Sequence, residues 1–77
     1  MVPSLSPVDC EQLARFFETH GFQRKRQKGS HLSMVRPGTA RPVVIPMHGQ
    51  VAIGVIMSNL RTAGLSRDDL LDWLGKN

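Results

Sequence analysis

Cysteine and aromatic residues are scarce in this 77-residue chain, which has one cysteine, no tyrosine and one tryptophan. A single cysteine cannot form a disulfide within the chain, and Cys10 falls on the apolar stripe of a predicted helix. No apolar run is long enough to cross a membrane, and residues 1–7 contain two prolines rather than the apolar segment of a signal peptide. We therefore expect a cytoplasmic protein in a reducing compartment.

The common cofactor and metal motifs are also absent from the sequence. It has no glycine-rich phosphate loop, no pair of neighbouring cysteines, and no two histidines at helical spacing for zinc. The spacing of His20, His31, His48 and Cys10 gives no metal signature. A catalytic cysteine is disfavoured too, because a buried thiol is inert. We expect neither a metal nor a cofactor.

Positive charge is what the sequence has in surplus. Ten lysines and arginines stand against six acidic residues, and the sequence pI is about 10.3. Such a balance suits a polyanionic partner, of which nucleic acid is the commonest. The length allows one domain, which we place over residues 1–77 with a short flexible leader at 1–5. Domains near this size bury only roughly 60% of their unfolded surface, so the core is expected to be thin.

Apolar periodicity and capping residues predict three helices. Ser6-Pro7-Val8-Asp9 offers an N-cap serine, a proline at the first helical position and an early carboxylate, so the first helix is predicted from here to Gly21. Apolar residues recur at helical spacing from 53 to 63, and Gly64-Leu65 then predicts a Schellman cap. Ser66 starts a third helix by the same capping logic. Its buried face is predicted at Leu70, Leu71, Trp73 and Leu74, and its end at Gly75.

Three short strands are predicted between the first two helices. They cover residues 22–28, 31–36 and 42–46, with Gly29-Ser30 as the first turn and Pro37-Gly38 as a strong breaker. The first strand would carry Phe22, Arg24, Arg26 and Lys28 on one face. The order α-β-β-β-α-α predicts an α+β fold, with a three-stranded antiparallel sheet and helices packed on one face.

The chemistry of the chain is concentrated around the first predicted turn. Four cations, Arg24, Lys25, Arg26 and Lys28, occupy five positions just before Gly29-Ser30-His31. Phosphates bind such a strand through charge, and a Gly-Ser turn lets a ligand approach closely. An imidazole can transfer protons near neutral pH, which RNA cleavage requires to activate the 2′-hydroxyl or protonate the leaving oxygen.

The same residues also support less specific interpretations. A cationic strand is more often just a solvated sheet face, and a histidine near a turn such as His31 is more often a hydrogen-bonding surface residue than a catalyst. The chain could then be a non-catalytic RNA-binding module, which recognises shape and charge, or a protein-interaction domain. His48, in a loop after the third strand, is either a second site residue or simply exposed. His20 is best explained as a residue that caps the first helix or lies at the core edge.

Four segments resemble, in this order, the HicA-type mRNA interferase toxins: residues 21–22, 26–31, 45–48 and 60–66. The resemblance runs from about Asp9 to Leu74. It implies a fold similar to double-stranded-RNA-binding domains. It also implies metal-independent endoribonuclease activity against messenger RNA, as the toxin of a type II toxin-antitoxin pair, and neutralisation by a HicB-type antitoxin. The loop at 49–53 departs from the family in being short and without lysines.

The resemblance also carries site residues onto this sequence. His31 corresponds to the catalytic histidine of the family, and Lys28, Gly29 and Ser30 are its neighbours in the motif. His48 falls at a position where the family often has histidine. With the cationic strand, this gives the following predicted RNA-binding residues: Arg24, Lys25, Arg26, Lys28, Gly29, Ser30 and His48.

Overall fold

The helices and strands follow the predicted order, with a second, two-stranded sheet in addition. A computed structural model describes residues 5–76. The elements are β1 (Val8–Asp9), α1 (Cys10–Thr19), β2 (Gln23–Lys28), β3 (His31–Val35), β4 (Val43–Pro46), β5 (Gln50–Val51), α2 (Ile53–Ala63) and α3 (Arg67–Lys76). Strands β2, β3 and β4 form an antiparallel sheet in that order, and β1 pairs with β5. The predicted α+β fold with its α-β-β-β-α-α order is confirmed.

One face of the three-stranded sheet is covered by helices and the other is open. Leu32, Met34, Val43 and Ile45 are buried on the covered face, within one core that also contains residues of all three helices. The residues between them in sequence point the other way, as the two-residue period of a strand requires. We call this second surface the open face. By the pairing register, it carries Gln23, Arg26, Lys28, His31, Ser33, Val35, Val44 and Pro46.

Helix α1 begins later than its capping signals predict. The N-cap is Asp9 and not Ser6, and its carboxylate accepts hydrogen bonds from the backbone N–H groups of Glu11 (3.1 Å) and Gln12 (3.2 Å). Ser6 does not cap a helix because Val8 and Asp9 are extended and pair with β5. Local capping chemistry is therefore overridden by a pairing between residues about forty positions apart along the chain.

The β1–β5 pairing also corrects two smaller expectations. Gln50 and Val51, which belong to a loop in the sequence-based prediction, form β5. Leu5, predicted to be part of a flexible leader, is buried in the core. Residues 1–4 of that leader lie outside the described residues. The segment before α1 is thus part of the packed structure from Leu5 onward.

The caps between α2 and α3 are those that the sequence predicts. Gly64 has φ +72°, its N–H donates to the Arg61 carbonyl, and the Leu65 N–H donates to the Leu60 carbonyl at 2.9 Å. These two bonds define a Schellman motif. Ser66 and Asp69 then form a reciprocal capping box, each accepting the other's backbone N–H.

Helix α3 continues one residue beyond its predicted end. It includes Gly75 and ends at Lys76, whose ammonium pairs with the Asp72 carboxylate one turn earlier at 3.1 Å. Gly75 is therefore not the stop that was predicted, since glycine permits the helical backbone as well as the left-handed one. Leu70 is buried, and Leu71, Trp73 and Leu74 are partly buried against the core.

Arg36, just after β3, forms hydrogen bonds with the C-terminal ends of two helices. Its guanidinium donates to the carbonyls of His20 at the end of α1 (3.1 Å) and Ala63 at the end of α2 (2.7 Å). It also lies 4.5 Å from the centroid of the Phe22 ring. Helix C-termini carry partial negative charge, so a cation is stabilising there. His20 is the C-cap residue of α1 and its ring packs on Phe16, as expected.

Candidate functional site

Strand β2 carries the predicted cations but divides them between the two faces of the sheet. Arg24 pairs with Met34 and Arg26 pairs with Ser33, so Lys25 is an extra residue in a β-bulge. Directly opposed residues of antiparallel strands share a face. Arg24 therefore lies on the covered side with Met34, while Arg26 lies on the open face with Ser33. The prediction of one shared face for Arg24, Arg26 and Lys28 is wrong, because the bulge interrupts the two-residue period.

Arg24 is neutralised by the helix beneath it. Its guanidinium forms ion pairs with the carboxylates of Glu11 and Glu18 on α1, the second at 3.3 Å. The hydrogen bond that Arg24 donates to the Glu11 carboxylate is the main reason that the pKa of Arg24 is raised, and the same bond lowers the pKa of the Glu11 carboxyl. Arg24 thus attaches β2 to α1 and is drawn away from the open face.

His31 lies at the end of a tight hairpin on the open face. Gly29 and Ser30 form the two-residue loop, with φ +59° at Gly29 and no positive φ at Ser30. This is the pattern of a type II′ turn, which favours glycine at its first position. Lys28 and His31 close the hairpin as a directly opposed pair. The imidazole is exposed and has a cation across the strand pair from it.

The loop after β4 lies beside this turn. His31 is opposed by Pro46, and the Met47 N–H donates to the Ser30 carbonyl, so the two segments remain paired beyond the strand ends. His48 follows directly and is exposed. The structure therefore brings His48 next to the Gly29-Ser30 turn, which the sequence alone could not establish.

The remaining predicted cations form the charged part of the open face. In the part of the chain that is described, Lys25, Arg26 and Lys28 form no ion pair. A shallow depression of about 470 Å³ lies beside the bulge. It is lined by Lys25, Arg26, Ser33, Val35 and Pro42. Charge and concavity at one place make this the best candidate surface for a polyanion.

Asn59 on α2 is a residue that the sequence analysis missed. Its side-chain amide protects the free edge of β4: Oδ1 accepts from the Val44 N–H at 3.2 Å, and Nδ2 donates to the Val44 carbonyl at 2.8 Å. Asn59 is only 7% exposed. The available signal was a polar residue between Ile56 and Leu60 on the apolar stripe of a helix, where burial requires hydrogen-bond partners.

Among residues 5–76, no three histidine, cysteine, aspartate or glutamate side chains are grouped so that they could hold a metal ion. No helix within that range is both long and apolar enough to span a membrane.

The fold and site together define a class: small α+β proteins with one uncovered, cationic sheet face and an exposed histidine at a hairpin turn. Comparison with protein-family models gives a match over residues 10–65 to the family described as "HicA toxin of bacterial toxin-antitoxin". The chain therefore belongs to the HicA toxin family, as the resemblance implied. It is a toxin of a bacterial toxin-antitoxin system, and its partner is an antitoxin. No curated protein matches the chain.

Proposed function

We propose that this toxin is a metal-independent endoribonuclease that cleaves messenger RNA, with His31 as a catalytic acid or base. One observation carries the proposal: an exposed imidazole stands at a tight turn on the open face, directly opposite Lys28. An imidazole can exchange a proton near neutral pH, and a neighbouring ammonium favours the negative charge of a phosphate.

RNA would be bound through its phosphates. Lys25, Arg26 and Lys28 supply charge along one strand, and the Gly29-Ser30 turn leaves its backbone accessible beside them. Phosphate contacts position a nucleic acid without selecting its sequence. We therefore expect affinity to depend on salt and to vary little with the RNA sequence.

Cleavage would use the RNA's own 2′-hydroxyl as the nucleophile. The 2′-oxygen attacks the adjacent phosphorus as it loses its proton, and the 5′-oxygen leaves as it gains one. His31 can perform either proton transfer without a metal. The ammonium of Lys28, one cross-strand position away, would stabilise charge that accumulates on the non-bridging oxygens.

A HicB-type antitoxin is the proposed partner, and the open face is its proposed binding site. A cationic surface associates fastest with an acidic one, because complementary charge steers the encounter. Covering this surface would block RNA and shield His31 in one step. Cells would be protected for as long as the complex lasts.

The test is an RNA degradation assay with purified protein, in the presence of a chelator. Wild-type protein should cleave RNA, His31→Gln should not, and His20→Gln is the matched control, since it removes an imidazole at the end of α1. RNA binding without cleavage by the wild type would favour a non-catalytic binding module. Neither binding nor cleavage would favour a protein-interaction domain.

A further inference from the structure

We infer that His48 is the second proton-transfer residue, so that two imidazoles stand on either side of the scissile phosphate. The inference rests on the proposed ribonuclease activity and on the assignment of His31. The observation behind it is the pairing of β3 with β4, which brings the loop that carries His48 beside the turn that precedes His31.

The pairing register relates the two histidines. His31 is opposed by Pro46, and the hydrogen bond from the Met47 N–H to the Ser30 carbonyl adds one more pair to the ladder. His48 follows Met47 directly, two residues beyond Pro46. His31 and His48 are therefore diagonal neighbours across two paired segments.

Both histidines lie at the same end of the paired strands β3 and β4. Pro46 shares the open face with His31, while Met47 packs against the core on the other side. His48 follows in a bend and is exposed. Diagonal neighbours in an antiparallel pair are separated by roughly 7–8 Å, within reach of long and aromatic side chains. This is a separation between Cα atoms, from which both imidazoles can reach one phosphate group.

The turn next to His31 has space around it. Gly29 has no side chain, and a Cβ built there would meet no other atom within 4 Å. Lys28 adjoins this space on the β2 side. The turn at Gly29 thus leaves open space next to the directly opposed pair of Lys28 and His31, where an anionic group can approach.

The loop that holds His48 is fixed at both of its ends. Before it, Met47 is bonded to Ser30; after it, the Gly49 carbonyl accepts the Cys10 N–H at 3.1 Å. Gln50 then pairs with Asp9 in the β1–β5 sheet. A proton-transfer group must be held in position to be effective, and these backbone bonds provide that.

The proposed step balances as follows. One imidazole, in its neutral form, removes the proton of the 2′-hydroxyl while the 2′-oxygen forms a bond to phosphorus. The bond from phosphorus to the 5′-oxygen breaks, and the other imidazole, in its protonated form, gives its proton to that oxygen. The products are a 2′,3′-cyclic phosphate and a 5′-hydroxyl end, and a final proton exchange with water restores both rings.

This scheme requires one histidine neutral and one protonated, which gives a bell-shaped dependence of rate on pH. The charged and titratable groups around the pair come from three elements. They are Lys28 on β2, which opposes His31, and Asp9 on β1 and Cys10 on α1, whose backbones pair with Gln50 and Gly49 just after His48. In single-turnover assays, His48→Gln should lower the rate about 100- to 10,000-fold and leave a pH profile with one limb instead of two.

A second substrate identifies which imidazole gives the proton. An RNA whose 5′-oxygen at one linkage is replaced by sulfur has a leaving group that needs no proton. The variant that lacks the general acid, His31→Gln or His48→Gln, should recover most of its lost rate on this substrate, and the other should not. His48→Asn serves as a repeat variant, and circular dichroism checks that each protein is folded.

The outcomes separate the inference from the proposed function. If His31→Gln is inactive while both His48 variants cleave RNA at the wild-type rate with a bell-shaped profile, the role of His48 is wrong and the ribonuclease proposal stands. If the wild type does not cleave RNA, or His31→Gln is fully active, the proposed function fails, and this inference fails with it. Rescue by sulfur of one variant alone supports the pair.

Discussion

His31 is exposed and lies outside the hydrophobic core. Its substitution therefore tests a chemical role with little effect on stability. We expect His31→Ala to remove toxicity and to lower RNA cleavage about 100- to 10,000-fold, the usual contribution of a positioned acid or base. The free energy of unfolding should change by less than about 0.5 kcal/mol, since the side chain is outside the core. Cleavage assays and chemical denaturation measure the two effects.

RNA binding by the same variant provides the control. Filter binding should show nearly wild-type affinity, because Lys25, Arg26 and Lys28 remain in place. His31→Gln should behave alike, since glutamine forms hydrogen bonds but does not exchange a proton near neutral pH. A His31 variant that unfolds would show that the residue is structural, and folded variants that cut at the wild-type rate would contradict the catalytic assignment.

Arg24 and Arg26 provide a matched pair of cations on opposite faces of one strand. On single-stranded RNA, each phosphate contact contributes about 0.7 to the slope of log K against log salt. Arg26→Gln should therefore reduce that slope by about 0.7, and Lys28→Gln by a similar amount. Arg24→Gln should leave it unchanged, because its guanidinium is held by Glu11 and Glu18. Measurement of the RNA affinity of each variant from low to moderate salt concentration tests this prediction.

The stability of the Arg24 variant gives the complementary result. Loss of its partly exposed ion pairs should destabilise the fold by about 1 kcal/mol or less. Arg26→Gln should have no measurable effect on unfolding. Equal changes of salt slope for Arg24→Gln and Arg26→Gln would mean that RNA draws Arg24 out of its ion pairs.

Single residues also show where prediction from the sequence reached its limit. The turn at Gly29-Ser30 and the position of His31 after it depend on local chemistry, so both could be predicted. The face of Arg24 could not, since one extra residue in β2 reverses it and a bulge leaves no clear mark in a strand of polar residues. Asn59 and Arg36 bind backbone groups far away in sequence, so their roles appear only in the folded chain.

Helix α2 has one glycine in its first turn and another just after its last residue, and their backbone conformations differ. Gly64, after its end, has φ +72°, a conformation that strains any residue with a Cβ. Gly54, in its first turn, has open space around it and no positive φ. We expect Gly64→Ala to destabilise the protein by about 1 kcal/mol or more, and Gly54→Ala to stabilise it by about 0.4–1 kcal/mol. Denaturant titration of both variants should give shifts of opposite sign.

The stability of the first turn of α3 should depend on pH. The Asp69 carboxylate accepts the backbone N–H of Ser66, and this bond, with a smaller contribution from the Ser66 side chain, lowers the pKa of that carboxyl below its ordinary value of 3.8. A lowered pKa in the folded state means that the stabilisation is complete above pH 3.8 and is lost as the pH falls through the folded value. NMR titration of the Ser66 amide should follow Asp69, and hydrogen exchange in α3 should rise at low pH.

Asp69→Asn is the control for this pH effect. It keeps an oxygen acceptor for Ser66 but cannot titrate, so α3 should lose its response to acid between neutral pH and about pH 3. A response that persists in the variant would place its origin in another carboxylate. Glu11 on α1, whose pKa is also lowered, would then be examined next.

The elements differ in how far local sequence determines them. The Schellman motif and the capping box are formed by neighbouring residues, and both were predicted correctly. The β1–β5 pairing joins Val8 to Val51, and its strands have only two residues each. Strands of two residues show no period of apolar residues in the sequence, so their position depends on the tertiary pairing. The same pairing places the start of α1 after Asp9 and not after Ser6.

At the scale of the whole molecule, the open face is the surface that an antitoxin should cover. We expect hydrogen exchange in the purified complex to slow in the β2–β3 hairpin and in the loop that carries His48, because charge complementarity directs an acidic partner there. Exchange in α3 should change little, since this helix packs against the core outside the charged surface. Mass spectrometry of the free toxin and of the complex gives the comparison.

Protection confined to the helical side would contradict that expectation. Inhibition would then have to proceed by distortion of the site rather than by its occlusion. A variant with Arg26 and Lys28 both changed to Gln should associate more slowly with the antitoxin at low salt, and the difference from wild type should disappear at high salt.

The bulge in β2 also has a consequence for how the gene can vary. Loss of one codon within a strand ordinarily turns every residue on one side of it to the other face. Lys25 is the bulge residue, which has no directly opposed partner on β3. Without it, Gln23 to Lys28 would alternate regularly and keep their present partners. Deletion of Lys25 should therefore shorten β2 by one residue and still leave Lys28 opposite His31.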